Sequence, residues 1–257
     1  MADADIRLIP CRSDNYAVLV HDRESGTTLL VDAPEAAPIA RALDDAGWTL
    51  THILITHHHP DHVEGIAALK ARDGATVIGP HDEASRIDGL DELLNDGESA
   101  TIGPWAVRAI STPGHTSGPL SYWLPDLGIA FTGDTLFAMG CGRLFEGDAA
   151  TMWASLSTLR QVLPDDTQIY CGHEYTHKNA EFATSVDPGN AALADRRKAV
   201  EAARARGEPT IPTTMALEKA TNPFLRADDP SLARALGLGG AEPAEVFADL
   251  RGRRDVF

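Results

Sequence analysis

Short apolar runs alternate with loops over roughly the first 175 residues of the chain. The runs are rich in β-branched and aromatic residues and are bounded by Gly, Pro, Asp or Asn, a composition typical of β-strands. The predicted strands are Ile6–Pro10, Tyr16–His21, Thr27–Val31, His52–Thr56, Thr76–Ile78, Trp105–Ser111, Leu120–Leu124, Ile129–Thr132 and Gln168–Cys171.

Apolar residues at helical spacing predict helices between some of these strands. The predicted helices are Ala36–Ala46, Val63–Ala71 and Thr151–Val162. From about residue 176 Ala, Arg, Glu and Lys dominate, as in Ala191–Arg206 and Glu242–Leu250, and strand signals disappear. We therefore predict a β-rich α/β domain over residues 1–175 and a smaller helical domain over residues 176–257.

Composition and charge narrow the class of protein. The chain has 257 residues, of which 43% are hydrophobic, and this is enough for a well-formed core. A net charge of −16 disfavours binding to nucleic acid or to an anionic membrane. No apolar run reaches the roughly 18 residues of a membrane helix, and the N-terminus lacks the pattern of a signal peptide. The odd count of three cysteines indicates a reducing cytoplasm, where we expect a monomer.

The segment THHHPDH contains four histidines and one carboxylate in seven residues. It follows an apolar predicted strand and precedes a predicted helix, so we expect it on a loop. An extended backbone places His57 and His59 on one side and His58 on the other, while Asp61 and His62 begin the helix. Imidazole nitrogen and carboxylate oxygen are ligands for Zn²⁺, Fe²⁺ or Mn²⁺. The loop therefore predicts part of a metal site.

Three further residues of ligand type each follow a predicted strand and a glycine: His115, Asp134 and His173. Taken alone, a histidine at a strand end is usually a hydrogen-bonded or surface side chain, and Asp134 fits an ordinary turn. Together with the loop residues other than His58 they give five His and two Asp, too many for one tetrahedral ion. Seven ligands suit two ions about 3.5–4 Å apart that share one carboxylate.

Other candidate residues are assigned no chemistry. Ser117 lies in GHTSG, which does not match the GxSxG motif of a serine nucleophile. The histidines expected to have no ligand role are His21, His52, His58, His81 and His177.

The pattern THxHxDH with separate His, Asp and His ligands resembles the metallo-β-lactamase superfamily. The resemblance implies a four-layer αββα sandwich with a smaller C-terminal helical domain. Several stretches are similar to the glyoxalase II family of hydroxyacylglutathione hydrolases. They are IPCRSDNY from Ile9, FTGDTLF from Phe131, GCGR from Gly140, CGHEYT from Cys171 and TNPFLR from Thr221.

This resemblance implies two divalent metal ions per chain, with zinc expected and iron or manganese as alternatives. It implies His57, His59 and His115 for the first ion, Asp61, His62 and His173 for the second, and Asp134 as the bridge. The implied reaction is hydrolysis of S-D-lactoylglutathione by a hydroxide that bridges the metals, as a step of methylglyoxal detoxification. Asp61 and Asp134 are the implied catalytic residues.

The resemblance also implies contacts to glutathione. They fall on Arg143, Phe145, His173, Tyr175, Arg251 and Arg254. Arginine binds carboxylates well, and glutathione has two. The family commonly has Lys and then an aromatic residue with a hydroxyl where this chain has Arg143 and Phe145, so we expect a change in substrate affinity and not in the chemistry.

Four other functions stay open on the sequence. They are a glutathione persulfide dioxygenase with one iron, a lactonase or β-lactamase, a nuclease of the same superfamily, and a metal-binding module without activity. The set of seven candidate ligands argues against the persulfide dioxygenase, and the net charge argues against the nuclease.

Overall fold

The computed structural model describes residues 4–257, and the chain divides into two units. The first unit extends to Thr112 and includes Ser117–Gly133. The second comprises Pro113–Thr116 and Asp134–Phe257. This division by contacts differs from the predicted domain boundary at residue 175, which stays a prediction.

The first unit contains a mixed sheet in which β1 to β6 lie side by side in chain order. These strands are β1 Ala4–Cys11, β2 Asn15–Asp22, β3 Thr28–Val31, β4 His52–Leu54, β5 Thr76–Pro80 and β6 Glu92–Leu94. The first three pair antiparallel and the later ones parallel. Four more strands of this unit pair antiparallel: β7 Ser99–Ile102, β8 Trp105–Ser111, β9 Leu120–Leu124 and β10 Ile129–Gly133.

Helices of the first unit cover one face of the mixed sheet. They are α1 Ala36–Ala46, α2 Pro60–Val63 and α3 Ile66–Asp73, with a 3₁₀ helix at His81–Arg86. Leu19 and Leu30 from the strands form one buried cluster with Ile39 and Leu43 of α1 and Leu69 of α3. Because alternate strand residues face the same side, this face binds the helices by burying apolar area.

The second unit is mainly helical. Its elements are β11 Leu136–Phe137, β12 Gly140–Cys141, α4 Ala149–Val162, β13 Gln168–Cys171, α5 Thr176–Val186, α6 Ala191–Ala205, β14 Thr213–Thr214, α7 Met215–Thr221, a 3₁₀ helix Pro223–Leu225, α8 Pro230–Ala235 and α9 Pro243–Asp255. The stacked rings of Phe182 and Phe224 and the nearby Phe247 lie in its interior.

The predicted strands are all present, with ends displaced by at most a few residues. Two expectations are wrong. The sequence predicts no strand after residue 176, yet β14 pairs antiparallel with β13, with Thr213 opposite Ile169. Strands β6 and β7 were not predicted, because each is short and largely exposed and so lacks an apolar pattern.

The predicted helix Val63–Ala71 is present from Ile66 onward as α3, but its start is wrong, because the structure ends α2 at Val63 and begins α3 at Ile66. The Gly65 N–H donates to Ala33 O at 2.8 Å instead of to the preceding helical turn. A Cβ at Gly65 would lie 2.9 Å from that oxygen. Glycine therefore allows the β3–α1 loop to approach and interrupt the helix.

In residues 4–257, no helix combines the length and the apolar character that crossing a bilayer requires.

Candidate functional site

The segment THHHPDH begins after β4 and ends within α2, and the rings of His57, His59 and His62 lie close together. His57 Nε2 is 3.1 Å from His59 Nδ1, and the rings of His57 and His62 are 4.1 Å apart. His57 and His62 are almost fully buried. His58 Nδ1 lies 2.7 Å from Glu83, as its opposite direction in the loop requires. The predicted alternation of this loop is therefore confirmed.

A buried carboxylate, Asp32, organises the start of this loop. It accepts hydrogen bonds from the Thr56 backbone N–H at 2.8 Å and from the Thr56 hydroxyl at 2.9 Å. His62 Nδ1 lies 2.7 Å from the same carboxylate, so this nitrogen donates. The proton on Nδ1 leaves the Nε2 lone pair of His62 for a metal ion.

The Thr56 hydroxyl defines the tautomer of His57. Because its hydroxyl donates to Asp32, it accepts from His57 Nδ1 at 3.0 Å, and His57 Nε2 keeps its lone pair. Gly133 has a φ of 46°, and a Cβ there would lie 2.6 Å from Thr56 Oγ1. The glycine before Asp134 is therefore required by both backbone conformation and space.

A second buried carboxylate, Glu83, holds the other side of the loop. It accepts from the backbone N–H of His58 at 2.7 Å, from the His58 ring and from the Gly118 N–H at 3.1 Å. Glu83 is fully buried, so these donors compensate the cost of burying its charge. Glu83 thereby joins the histidine loop to the segment before β9.

In the second unit, Asp134 lies between two histidines. Its Oδ2 is 3.4 Å from His115 Nε2 and 3.3 Å from His173 Nε2. His115 Nδ1 lies 2.7 Å from the carbonyl of Arg143 and donates to it, which leaves Nε2 as the metal-binding nitrogen. Ligands about 2.0–2.1 Å from a tetrahedral zinc ion lie roughly 3.4 Å from each other, so each pair of His and Asp134 fits an ion of this kind.

Each of the seven predicted ligands belongs to a group of three His and Asp side chains whose ligand atoms lie within 4.8 Å of one another. Nitrogen and carboxylate oxygen in such groups are suited to divalent cations. The donor sets therefore fit metal binding.

Tyr175 and Phe145, two of the predicted substrate contacts, lie against predicted ligands of the same unit. The Tyr175 ring stacks on His173 with centroids 4.6 Å apart, and Phe145 meets His115 edge-on at 5.2 Å. The Phe145 side chain is 60% exposed, which is unusual for a large apolar residue.

The basic residues of the C-terminus lie on helix α9 and not on a frayed tail. Arg251 is buried, donates to Cys141 O at 3.1 Å and pairs with Asp255 at 3.0 Å. Arg143 Nε lies 3.6 Å from the same Asp255 carboxylate. Burial and the nearby charges of Arg251 and Arg143 lower the pKa of Arg254 below its ordinary value. A cationic cluster of this kind favours an anionic ligand.

Sequence reasoning missed Asp32 and Glu83. Asp32 could have been found, since it directly follows the buried run TLLV in the same way as the predicted ligands follow their strands. Glu83 has no such signal, because it lies on an isolated 3₁₀ turn.

Comparison with known proteins shows the family to which the chain belongs. Residues 12–173 match the model of the metallo-beta-lactamase superfamily, so the chain belongs to that superfamily. Residues 174–257 match the hydroxyacylglutathione hydrolase C-terminus. A hydroxyacylglutathione hydrolase of Rhizobium meliloti is 55% identical over 100% of both chains, and one of Chelativorans sp. is 53% identical over 98% of this chain and 99% of that one. The chain belongs to the hydroxyacylglutathione hydrolase family.

Among solved structures, ETHE1 from Myxococcus xanthus is similar with a TM-score of 0.67 and 26% identity. The match covers 98% of this chain and 99% of that one. It confirms the metallo-β-lactamase fold that the sequence pattern predicted.

Proposed function

We propose that the protein is a metal-dependent thioester hydrolase that cleaves S-D-lactoylglutathione to D-lactate and glutathione. The observation that carries this proposal is similarity to hydroxyacylglutathione hydrolases along the whole chain, at 55% identity. Methylglyoxal detoxification is the proposed context. The His and Asp groups support a hydrolytic centre that needs no side-chain nucleophile.

The proposed metal centre has seven ligands, five His and two Asp. His57, His59 and His115 would hold one divalent ion; Asp61, His62 and His173 would hold the other; Asp134 would bridge them. Support for the bridge comes from Asp134 Oδ2, which lies at nearly equal distances from two Nε2 atoms. We propose zinc, with iron or manganese as alternatives that the same ligands accept.

Bound divalent ions would lower the pKa of water to roughly 7 and polarise the thioester carbonyl. Asp61 would orient the attacking water by accepting its hydrogen bond. Asp134 would balance the positive charge beside that water. His62, His57 and His115 would keep their proton on the nitrogen that faces Asp32, Thr56 or the Arg143 carbonyl, so none of these three would act as the general acid. Glutathione thiolate is a good leaving group and requires none.

The substrate would be recognised by the second unit. Arg143 and Arg254 are the proposed partners of the glutathione carboxylates, because planar guanidinium groups match carboxylates. The buried Nε of Arg251 has no hydrogen-bond partner among residues 4–257, which supports a further contact there. Tyr175 and Phe145 would cover the thioester beside His173 and His115.

We also propose that the protein is monomeric and cytoplasmic, and that it binds neither nucleic acid nor membrane. The net charge of −16 and the buried free cysteines support this.

The test is hydrolysis of S-D-lactoylglutathione by purified protein, with metal content measured on the same sample. Turnover with about two metal ions per chain is expected. A panel of lactones and β-lactams serves as the control for other hydrolases of the superfamily. Two bound metals without thioester turnover would refute the substrate, and one iron per chain with oxygen uptake would refute the hydrolase.

A further inference from the structure

Asn15, the first residue of β2, donates two hydrogen bonds to one residue of the histidine loop. Its Nδ2 lies 3.1 Å from the Asp61 backbone oxygen and 3.1 Å from Asp61 Oδ2. The Asn15 side chain is buried, at 3% exposure. We propose that Asn15 is a positioning residue that fixes Asp61 for metal binding. This inference rests on the proposed metal role of Asp61.

The backbone contact follows from the interruption between α2 and α3. In a continuous helix the Asp61 carbonyl would accept from the N–H of Gly65, but that N–H donates to Ala33. The next carbonyl, of His62, accepts from the Ala33 N–H at 2.8 Å. Asn15 supplies the donor that the end of the short helix lacks. The loop thus keeps a defined conformation where its own helix cannot provide it.

The side-chain contact defines the direction of the carboxylate. Asp61 is about one-third exposed, and its Oδ2 lies 3.9 Å from His62 Nε2, the proposed ligand nitrogen beside it. A carboxylate oxygen has two acceptor positions, so it can accept from Asn15 and still bind a cation. Without this N–H, Asp61 would lose one of the contacts that restrict its rotamers, and metal binding would have to supply that restriction.

The turn before Asn15 contacts the segment that precedes α1 and the residue that follows α2. Cys11 and Asn15 pair at the end of the β1–β2 hairpin. Arg12 at its turn has a φ of 50°, donates from its backbone to Glu35 and forms an ion pair with Glu64. The Glu64 side chain is 68% exposed, and exposed ion pairs contribute little. Asn15, not Arg12, is therefore the residue to test.

The experiment is a zinc titration of the full-length protein in competition with a chromogenic chelator. Asn15→Ala removes the amide, and Asn15→Asp keeps its shape but replaces the donor with an acceptor. Asn190→Ala is the matched control. This asparagine is half-buried, donates to Asp187 and Ala220, caps α6, and contacts none of the predicted ligands.

We expect both Asn15 variants to bind one of the two zinc ions about 10- to 100-fold more weakly, the usual effect of removing a residue that orients a ligand. Asn190→Ala should lower the Tm but keep the zinc affinity of the unchanged protein. Unchanged zinc affinity in both Asn15 variants would overturn the inference and leave the thioesterase proposal standing. Equal losses in Asn15→Ala and Asn190→Ala would also overturn it, since they would show a general effect of destabilisation. Wild-type protein that binds none of zinc, iron and manganese would overturn both proposals. Weaker zinc binding in the Asn15 variants without thioester turnover by the wild type would refute only the substrate.

Discussion

Replacing Asp32 by Asn tests how the buried carboxylate organises the histidine loop. The best arrangement for Asn points its carbonyl at the Thr56 hydroxyl and His62 Nδ1, and its NH₂ at the Thr56 N–H. That arrangement leaves a buried donor without an acceptor, which costs about 1–3 kcal/mol. The two remaining hydrogen bonds lose the charge of the carboxylate, at about 1 kcal/mol each. We expect the metal-free protein to lose about 3–5 kcal/mol of unfolding free energy.

The metal-loaded protein should lose more. The neutral amide still accepts from His62 Nδ1 but raises the basicity of Nε2 less than the carboxylate does, so metal affinity should fall by about 10- to 100-fold. A metal ion that binds more weakly stabilises the folded state less, by RT ln of the fold-change in affinity, or about 1.4–2.7 kcal/mol. This loss adds to the loss of the metal-free protein. Urea unfolding of both forms of both proteins, with excess zinc or with chelator, measures the difference.

Glu218→Gln is the control for this experiment. Glu218 is also fully buried and accepts from Arg196, Thr213 and the Met139 N–H, but it contacts no predicted ligand. It should destabilise the loaded and metal-free forms equally. Equal losses for the two forms of Asp32→Asn would refute the claim that Asp32 acts on metal binding through His62.

Three further predictions concern the metal bridge, the substrate and the thiols. Asp134→Ala should lose metal and reduce thioester hydrolysis to background, as metal analysis and steady-state assays will show; full activity would refute the bridge. Arg254→Ala should raise KM about 10-fold with kcat unchanged, because it removes binding shared by ground and transition states; Arg253→Ala, whose guanidinium pairs with Asp249, should leave KM unchanged. Burial raises the pKa of Cys171 from 9.0 to about 12, so the unfolded state releases this proton first as the pH rises. Stability should therefore fall above about pH 9, by up to about 1.4 kcal/mol per pH unit for this thiol; iodoacetamide labelling of the native protein at pH 8 would contradict its burial.

The local pattern of the sequence was sufficient for most elements and for the choice of ligand types. Alternating and continuous apolar runs predicted the strands, because the positions on a buried face of a strand must be apolar. The histidines of THHHPDH could be assigned directions, because an extended loop alternates its side chains. His58 accordingly faces Glu83.

Only the tertiary structure decided how these side chains are held. Each of the side chains that hold them lies at least 24 positions along the sequence from the group that it binds in the loop; they are Asp32, Glu83 and Asn15. Such pairs leave no local periodicity. The interruption of the helix at Gly65 is of the same kind, since it depends on the approach of Ala33, 32 positions earlier in the sequence. Sequence determined which atoms are available as ligands, and the long-range hydrogen bonds decided their tautomers and directions.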